Sequence, residues 1–131
     1  MVERVKQIVI TAEDKPGMLS EITQLIAGEN VNIEAIKAFV DSKGKANFYI
    51  ITVDNQKALS VLRAGGWQAK EEEVLVVELE NKPGALDKMA SKLKEGNVHL
   101  LYCYGSVGQA GASARFVMKA ENNDQAVKAL S

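Results

Sequence analysis

The chain carries one short module twice. Asp14-Lys15-Pro16-Gly17-Met18-Leu19 returns 67 residues later as Asn81-Lys82-Pro83-Gly84-Ala85-Leu86. Without a gap, Glu29-Asn30-Val31-Asn32-Ile33 then falls on Gly96-Asn97-Val98-His99-Leu100, and Gly44 on Gly111. Identities in this register are Val9, Glu13, Lys15, Pro16, Gly17, Leu19, Asn30, Val31, Val40, Gly44 and Asn55, mostly at turns and element ends where backbone geometry is demanding. A period of this length is too long for a solenoid repeat and suits a small domain. Two units are therefore expected, residues 1–70 and 71–131. Units of this size bury only ~60% of the surface that the unfolded chain exposes. Each is expected to lean on its sibling or on a second chain.

Apolar periodicity sets the elements. In residues 5–12, Ile8, Ile10 and Ala12 share one face of a strand, and Leu75, Val77 and Leu79 keep that face in the second copy. After each Lys-Pro-Gly turn comes a helix, with Leu19, Ile22 and Ile26 spaced as a stripe and Leu86, Met89 and Leu93 repeating it. Gly28 and Gly96 are expected as left-handed caps at the helix ends. Second strands follow at 32–40 and 99–107, and third strands at 46–53 and 113–120. Turns at Asp41-Ser42-Lys43-Gly44 and Gly108-Gln109-Ala110-Gly111 join them. Helices at 55–64 and 123–130 come next, and residues 67–70 make a short fourth strand.

The order β-α-β-β-α-β predicts an α+β protein of two ferredoxin-like units, each an antiparallel sheet with both helices on one face. The second unit lacks its last strand, since nothing after residue 130 corresponds to Trp67–Lys70. Strand alternation assigns Phe48, Ile50 and Val9 to the uncovered sheet face, with Val117 in the second copy. An apolar open face predicts a cover, and a second chain is the simplest one.

Charge and cysteine content narrow the function classes. The net charge is −1, with eight basic and eight acidic residues in 1–66 and eight and nine in 67–131. No basic stripe of the kind that neutralises nucleic-acid phosphates is present. The one charge run, Lys70-Glu71-Glu72-Glu73, reads as a solvated junction. A single cysteine, Cys103, gives neither a disulfide framework nor a CxxC pair for metal or redox chemistry. No apolar run approaches membrane-spanning length and no signal-peptide pattern opens the chain, so a cytoplasmic protein is expected.

The strand–Asp/Asn-Lys-Pro-Gly–helix turn is the segment with a chemical mechanism. Proline suits a first helical turn because its absent N–H would have been unsatisfied anyway. Glycine lets a ligand approach the backbone, and the N–H groups of a first helical turn favour an anion such as a carboxylate. Asp14 or Asn81 is placed either to cap the helix or to accept from an ammonium group. Donors beside an acceptor match the two ends of a free amino acid. The plain alternative is a tight turn with a capping residue.

The ordered pattern strand–[Asp/Asn]-Lys-Pro-Gly-x-Leu–helix–Asn-Val-Asn-Ile–strand, met twice, resembles the ACT domain, and nearly the whole chain resembles two in tandem. The family's small regulatory modules bind amino acids, often at interfaces between paired domains. The resemblance implies ligand contacts from Asp14, Pro16, Gly17, Met18 and Leu19, with Asn30 and Asn32 nearby. In the second copy it implies Asn81, Pro83, Gly84, Ala85 and Leu86, with Asn97 and His99. The copies differ at Asp14 against Asn81, Met18 against Ala85 and Asn32 against His99, so the two sites need not be equivalent.

With no attached catalytic or DNA-binding domain, the expected protein is a stand-alone, non-catalytic regulator. The resemblance implies a homodimer that relays an amino-acid signal to an enzyme of amino-acid metabolism, with no cofactor or metal and no nucleic-acid or membrane partner. The alternative is an interaction subunit with no small-molecule ligand. His99 and Cys103 lack a nucleophile–base–orienter constellation, and Cys103 is expected as a buried small hydrophobe. Tyr102 and Tyr104 share a strand face, and Gly105, Gly108 and Gly111 read as a hairpin loop.

Overall fold

Ten elements follow one another in the computed structural model, which describes residues 2–107 and 112–131. They are β1 (Val2–Glu13), α1 (Met18–Gly28), β2 (Ile33–Val40), β3 (Lys45–Thr52), α2 (Asn55–Ala64), β4 (Ala69–Glu80), α3 (Ala85–Glu95), β5 (Leu100–Val107), β6 (Ser113–Ala120) and α4 (Asn123–Leu130). The expected hairpin segment around Gly108 and Gly111 lies outside the described residues. The chain forms two compact units. The N-terminal unit is Lys6–Glu72, and the C-terminal unit is Glu73–Ser131 joined by residues 2–5.

Both units are α+β with antiparallel strands. In the N-terminal unit β3 lies between β1 and β2, Ile8 pairing with Ile50 and Ile36 with the same Ile50. In the C-terminal unit β6 lies between β4 and β5, Leu75 and Cys103 both pairing with Met118. The expected short strand after α2 does not end at residue 70. It runs on as β4, whose start belongs to the N-terminal unit and whose remainder opens the C-terminal one.

Among the described residues no strand follows α4, and the first residues of β1 join this unit. Val2 packs on the C-terminal core. Arg4 donates to Glu73 at 2.8 Å and to Asp124 at 2.6 Å. The acidic run at 71–73 is correspondingly half-buried strand and not a solvated junction: Glu71 accepts from Asn55, Glu72 from Gln7, and Glu73 from Arg4.

The helices lay one stripe each on the sheet. Met18, Ile22 and Ile26 are buried in α1, and Met89 and Leu93 in α3. Steps of four residues keep these side chains on one face, which turns Leu19 and Leu86 outward, at 47% and 46% exposed. The expected place of the two leucines in the stripe is therefore corrected. Full burial of an isoleucine such as Ile22 contributes roughly 1.5–3 kcal/mol.

Phe48 and Ile50 are also corrected. They pair with Ile10 and Ile8 and lie in the helix-covered core, because residues 46, 48 and 50 form the inward set of β3. Val9 and Val117 stand outside the two core clusters, opposite Tyr49 and Val76.

The helix ends show why asparagine occurs at 30 and 97. Each residue is left-handed, with φ of 58° and 55°. Asn30 N–H donates to Ala27 O at 2.9 Å and Val31 N–H to Ile26 O at 3.4 Å. Asn97 N–H donates to Lys94 O at 3.0 Å and Val98 N–H to Leu93 O at 2.9 Å. This is the Schellman arrangement, with asparagine in the place glycine usually takes. Gly28 and Gly96 are thus not the left-handed caps. Gly96 is held small by space, since a Cβ there would lie 2.6 Å from that of Ala129.

The repeat breaks register once. β4 and β5 stand 67 residues after β1 and β2, but Met118 replaces Ile50 and so β6 stands 68 after β3 (118 against 50). From there the units match again with the extra residue. Asp54 and Asn122 cap α2 and α4 through Lys57 N–H and Gln125 N–H. Asn55 accepts from Thr52 N–H and donates to Lys6 O, as Asn123 accepts from Ala120 N–H and donates to Glu73 O.

Candidate functional site

β1 ends at Glu13 and the chain reverses through Lys15-Pro16-Gly17-Met18 into α1. Gly17 has φ 88° and ψ −2°, and Gly84 has φ 86° and ψ −9°. These values fit the third residue of a type II turn, with proline in the second position where its ring sets φ. Ala85 N–H closes the second turn onto Lys82 O at 3.2 Å. Pro16 and Pro83 therefore precede the helices and are not in the first helical turn, which begins at Met18 and Ala85. A Cβ on Gly17 or Gly84 would meet nothing within 4 Å. Glycine is required there by φ, and the backbone stays open to approach.

Neither helix start is capped by a side chain. Of the two roles foreseen for Asp14 and Asn81, capping is excluded. Asp14 is exposed, while Asn81 is half-buried and its N–H donates to Ala112 O at 2.8 Å. Lys15 N–H points at Met18 Sδ, 3.2 Å away, which seats the thioether beneath the turn.

Each turn borders a cavity in its own unit. The N-terminal cavity, of about 500 Å³, is lined by Thr11, Glu13, Lys15, Pro16, Met18, Glu21 and Trp67 among others. Trp67 arrives there because α2 ends in a glycine version of the same Schellman turn. Gly66 has φ 92°, and Trp67 N–H donates to Leu62 O at 3.0 Å. Glu13 is ion-paired with Lys45, whose hydrogen bond and charge hold the carboxyl below its usual range. The C-terminal cavity, of about 290 Å³, has Val77, Leu79, Ala85, Met89, Leu130 and Val2 as its apolar wall, with Glu80, Lys82, Lys88 and Lys92.

Of the residues implicated by sequence, Pro16, Met18 and Ala85 line these cavities. Asp14, Gly17 and Leu19, and Asn81, Pro83, Gly84 and Leu86, belong to the turns and outer helix surface. Asn30 and Asn32 stand at the far end of α1, about 16 Å of helix away. Asn97 and His99 stand at the corresponding end of α3. Within a unit the two groups are not brought together. The carbonyls of Asn32 and His99 accept from Val53 N–H and Glu121 N–H, at 3.1 Å and 2.9 Å.

Glu21, Trp67, Lys88 and Lys92 were missed in the sequence. Glu21 follows Met18 by three residues and Lys88 follows Ala85 by three, so helical spacing from the turn was the available signal. Trp67 and Val2 carried none, since both come from segments remote in sequence.

Cys103 is exposed, contrary to expectation. It pairs with Met118 on the core-facing side of β5, but β5 is the outer strand and Cys103, unlike Leu100, is not among the residues packed on the core cluster. Tyr102 and Tyr104 do share the opposite face, and burial raises the Tyr104 hydroxyl above its ordinary range. Gly105 belongs to β5, not to a loop, and a Cβ there would lie 2.5 Å from the Phe116 ring. Among the described residues no group of His, Cys, Asp and Glu is placed to hold a metal ion. No helix among them is long and apolar enough to cross a membrane.

Residues 6–64 match the ACT domain family. The whole chain also superposes on solved structures. A protein from Bacteroides thetaiotaomicron is 27% identical with a TM-score of 0.88, over 98% of this chain and 88% of that one. The regulatory subunit of aspartate kinase from Thermus thermophilus, in a ligand-free form, is 16% identical with a TM-score of 0.69, over 99% and 95%. That from Thermus flavus is 17% identical with a TM-score of 0.66, over 99% and 93%. No functionally curated protein matches the sequence significantly. The ACT-domain match thus spans the N-terminal unit alone, and the whole chain shares its fold with these structures.

Proposed function

We propose that this chain is a non-catalytic regulatory protein that binds a free amino acid, or a related small carboxylate, at its Lys-Pro-Gly turns and relays that signal to an enzyme of amino-acid metabolism. The observation that carries this reading is the double occurrence of one geometry: a left-handed glycine with open space beside it, followed by a helix without a side-chain cap. Such a helix start favours a carboxylate. Asp14 or Asn81 accepts from the ammonium group, and Met18 shapes the side-chain pocket of the first copy. The C-terminal unit is read as a second ACT-type domain because it repeats the fold and the turn.

Asn30, Asn32, Asn97 and His99 reach a turn when a second copy of the chain brings them there, and a homodimer is part of the proposal. Signalling then follows from linkage: a ligand bridging two subunits favours the arrangement that it bridges, by its difference in affinity between states. The fold shared with aspartate kinase regulatory subunits makes an enzyme of that class the first partner to try. No chemical step is involved.

A second reading, docking without a ligand, draws on Ile36 and Val40. They are 39% and 54% exposed on the outer strand β2, as a surface awaiting a partner would be. A thermal-shift screen against the twenty amino acids separates the two. A ligand at 100 times its Kd adds about 2.7 kcal/mol, enough to raise Tm by several degrees. The expected result is one selective ligand, weakened by Asp14→Ala. No shift with any amino acid would leave docking as the better reading.

A further inference from the structure

The two cavities occupy corresponding places but differ in charge. Around the N-terminal cavity stand Glu13, Lys15 and Glu21, two acids to one base. Around the C-terminal cavity stand Glu80, Lys82, Lys88 and Lys92, three bases to one acid. We propose that the C-terminal cavity binds an aliphatic carboxylate lacking an ammonium group, such as a simple short-chain acid or a branched 2-oxo acid.

The base pair that matters is Lys88 and Lys92. Lys82 is already bonded to Glu80 at 3.1 Å. Lys88 and Lys92 have no ion-pair partner among the described residues, and they are four apart on α3, where like charges repel across one helical turn. An anion between them removes that repulsion and gains two opposite charges. An ammonium group in the same place meets the surplus of positive charge, which sets a plain carboxylate ahead of an amino acid.

The rest of the ligand is specified by the wall. Val77 and Met89 are almost fully buried, and Val2, Leu79 and Leu130 are half-buried apolar side chains facing the core cluster. Such a surface, with no polar group among these five side chains, takes a hydrocarbon body. Space is available because position 85 is alanine, where the N-terminal unit has Met18 buried against its core. The volume of about 290 Å³ suits a small ligand.

This site borders the second turn through Lys82 and Ala85 and so confines the amino acid of the proposed function to the turn at Asp14–Leu19, on which it does not depend. The test is calorimetric titration of the full chain with hexanoate, 4-methyl-2-oxopentanoate, leucine and hexylamine, with amide shifts of Lys88, Met89 and Lys92 locating any binding. The two acids are expected to bind and to move these amides, and leucine to do so at least about tenfold more weakly. Hexylamine should not bind there. The tighter of the two acids identifies the source, simple acid or 2-oxo acid.

Lys88→Gln with Lys92→Gln should weaken acid binding by at least about tenfold, and Ala85→Met should block it by filling the wall. Lys57→Gln, in the other unit and away from both cavities, should leave acid binding unchanged. Absence of acid binding at millimolar concentration, or binding indifferent to both Lys88→Gln/Lys92→Gln and Ala85→Met, overturns the proposal. Leucine bound at Asp14 without any acid effect at Lys88 overturns this inference alone. The acid effect without an amino-acid ligand overturns only the reading of the turns.

Discussion

The two units are the same chain pattern carried out with different means. The N-terminal unit closes its core with thirteen buried residues, including Phe48 from β3 and Leu59 and Leu62 from α2. The C-terminal unit has seven among its described residues, and draws Val2 from the far end of the sequence to pack on them. What both keep is geometry: the left-handed glycine before the helix, the left-handed asparagine after it, and the asparagine that ties the second helix to the first strand. Backbone positions with a positive φ tolerate few residues, whereas apolar positions accept any side chain of fitting volume. Duplication with divergence therefore preserves the turns and lets the cores differ, the second enclosing a smaller cluster of buried residues and a cavity of different charge beside its turn.

Equivalent core truncations sharpen this contrast most strongly. Ile22→Ala should destabilise by about 2–5 kcal/mol in urea denaturation, being fully buried under α1. Met89→Ala, its counterpart beside the C-terminal cavity, should fall at the lower end of that range, because a flexible side chain on a cavity wall has fewer contacts to lose. An equal or larger loss at Met89 would contradict a smaller contribution from the second core.

The next test concerns Gly105 and its counterpart Ala38. At Gly105 a Cβ would meet the Phe116 ring at 2.5 Å and Arg115 O at 2.6 Å, and a backbone oxygen cannot rotate away. Gly105→Ala should cost about 1–3 kcal/mol by denaturation. In the N-terminal unit, alanine already stands opposite Phe48, which turns into the core. Ala38→Gly should cost less than about 1 kcal/mol.

The smallest effect is on pH dependence. Asn47, then the backbone N–H of Lys45, hold the Asp41 carboxyl below its usual range. A depressed folded-state pKa contributes stability that is present above the unfolded value, near ~3.9, and is lost as pH falls through the folded one. Asp41→Asn should therefore flatten the acid side of the stability profile, while leaving the neutral region little changed. The C-terminal unit has Gly108 and Arg115 in place of Asp41 and Asn47, so no such aspartate contributes there.

Most of the fold was legible because its determinants are local. Alternation and helical spacing placed α2, α4 and β6 at the residues observed, and the repeat supplied the order of elements. What was not legible depends on contacts remote in sequence or on a shift of one residue. The inward set of β3 hinges on its pairing with β1, so Phe48 and Ile50 were assigned to the wrong face. Leu19 and Leu86 are identical in both copies and look like core, yet the buried stripes run through Met18, Ile22 and Ile26 and through Met89 and Leu93 and leave both outside. For the site, the turn was visible as a motif, but the walls from Trp67, Val2 and Leu130 were not. The extra residue before β6 hid in a repeat that matches on both sides of it.

The measurement that bears most directly on two related turns with different ligands is amide chemical-shift mapping of the intact chain, titrated with the amino acid selected by thermal shift and, separately, with hexanoate. The amino acid should move amides at Asp14–Leu19, and hexanoate those at Lys82–Lys92. If both ligands move the same amides, or neither moves any, the two units do not carry distinct binding sites.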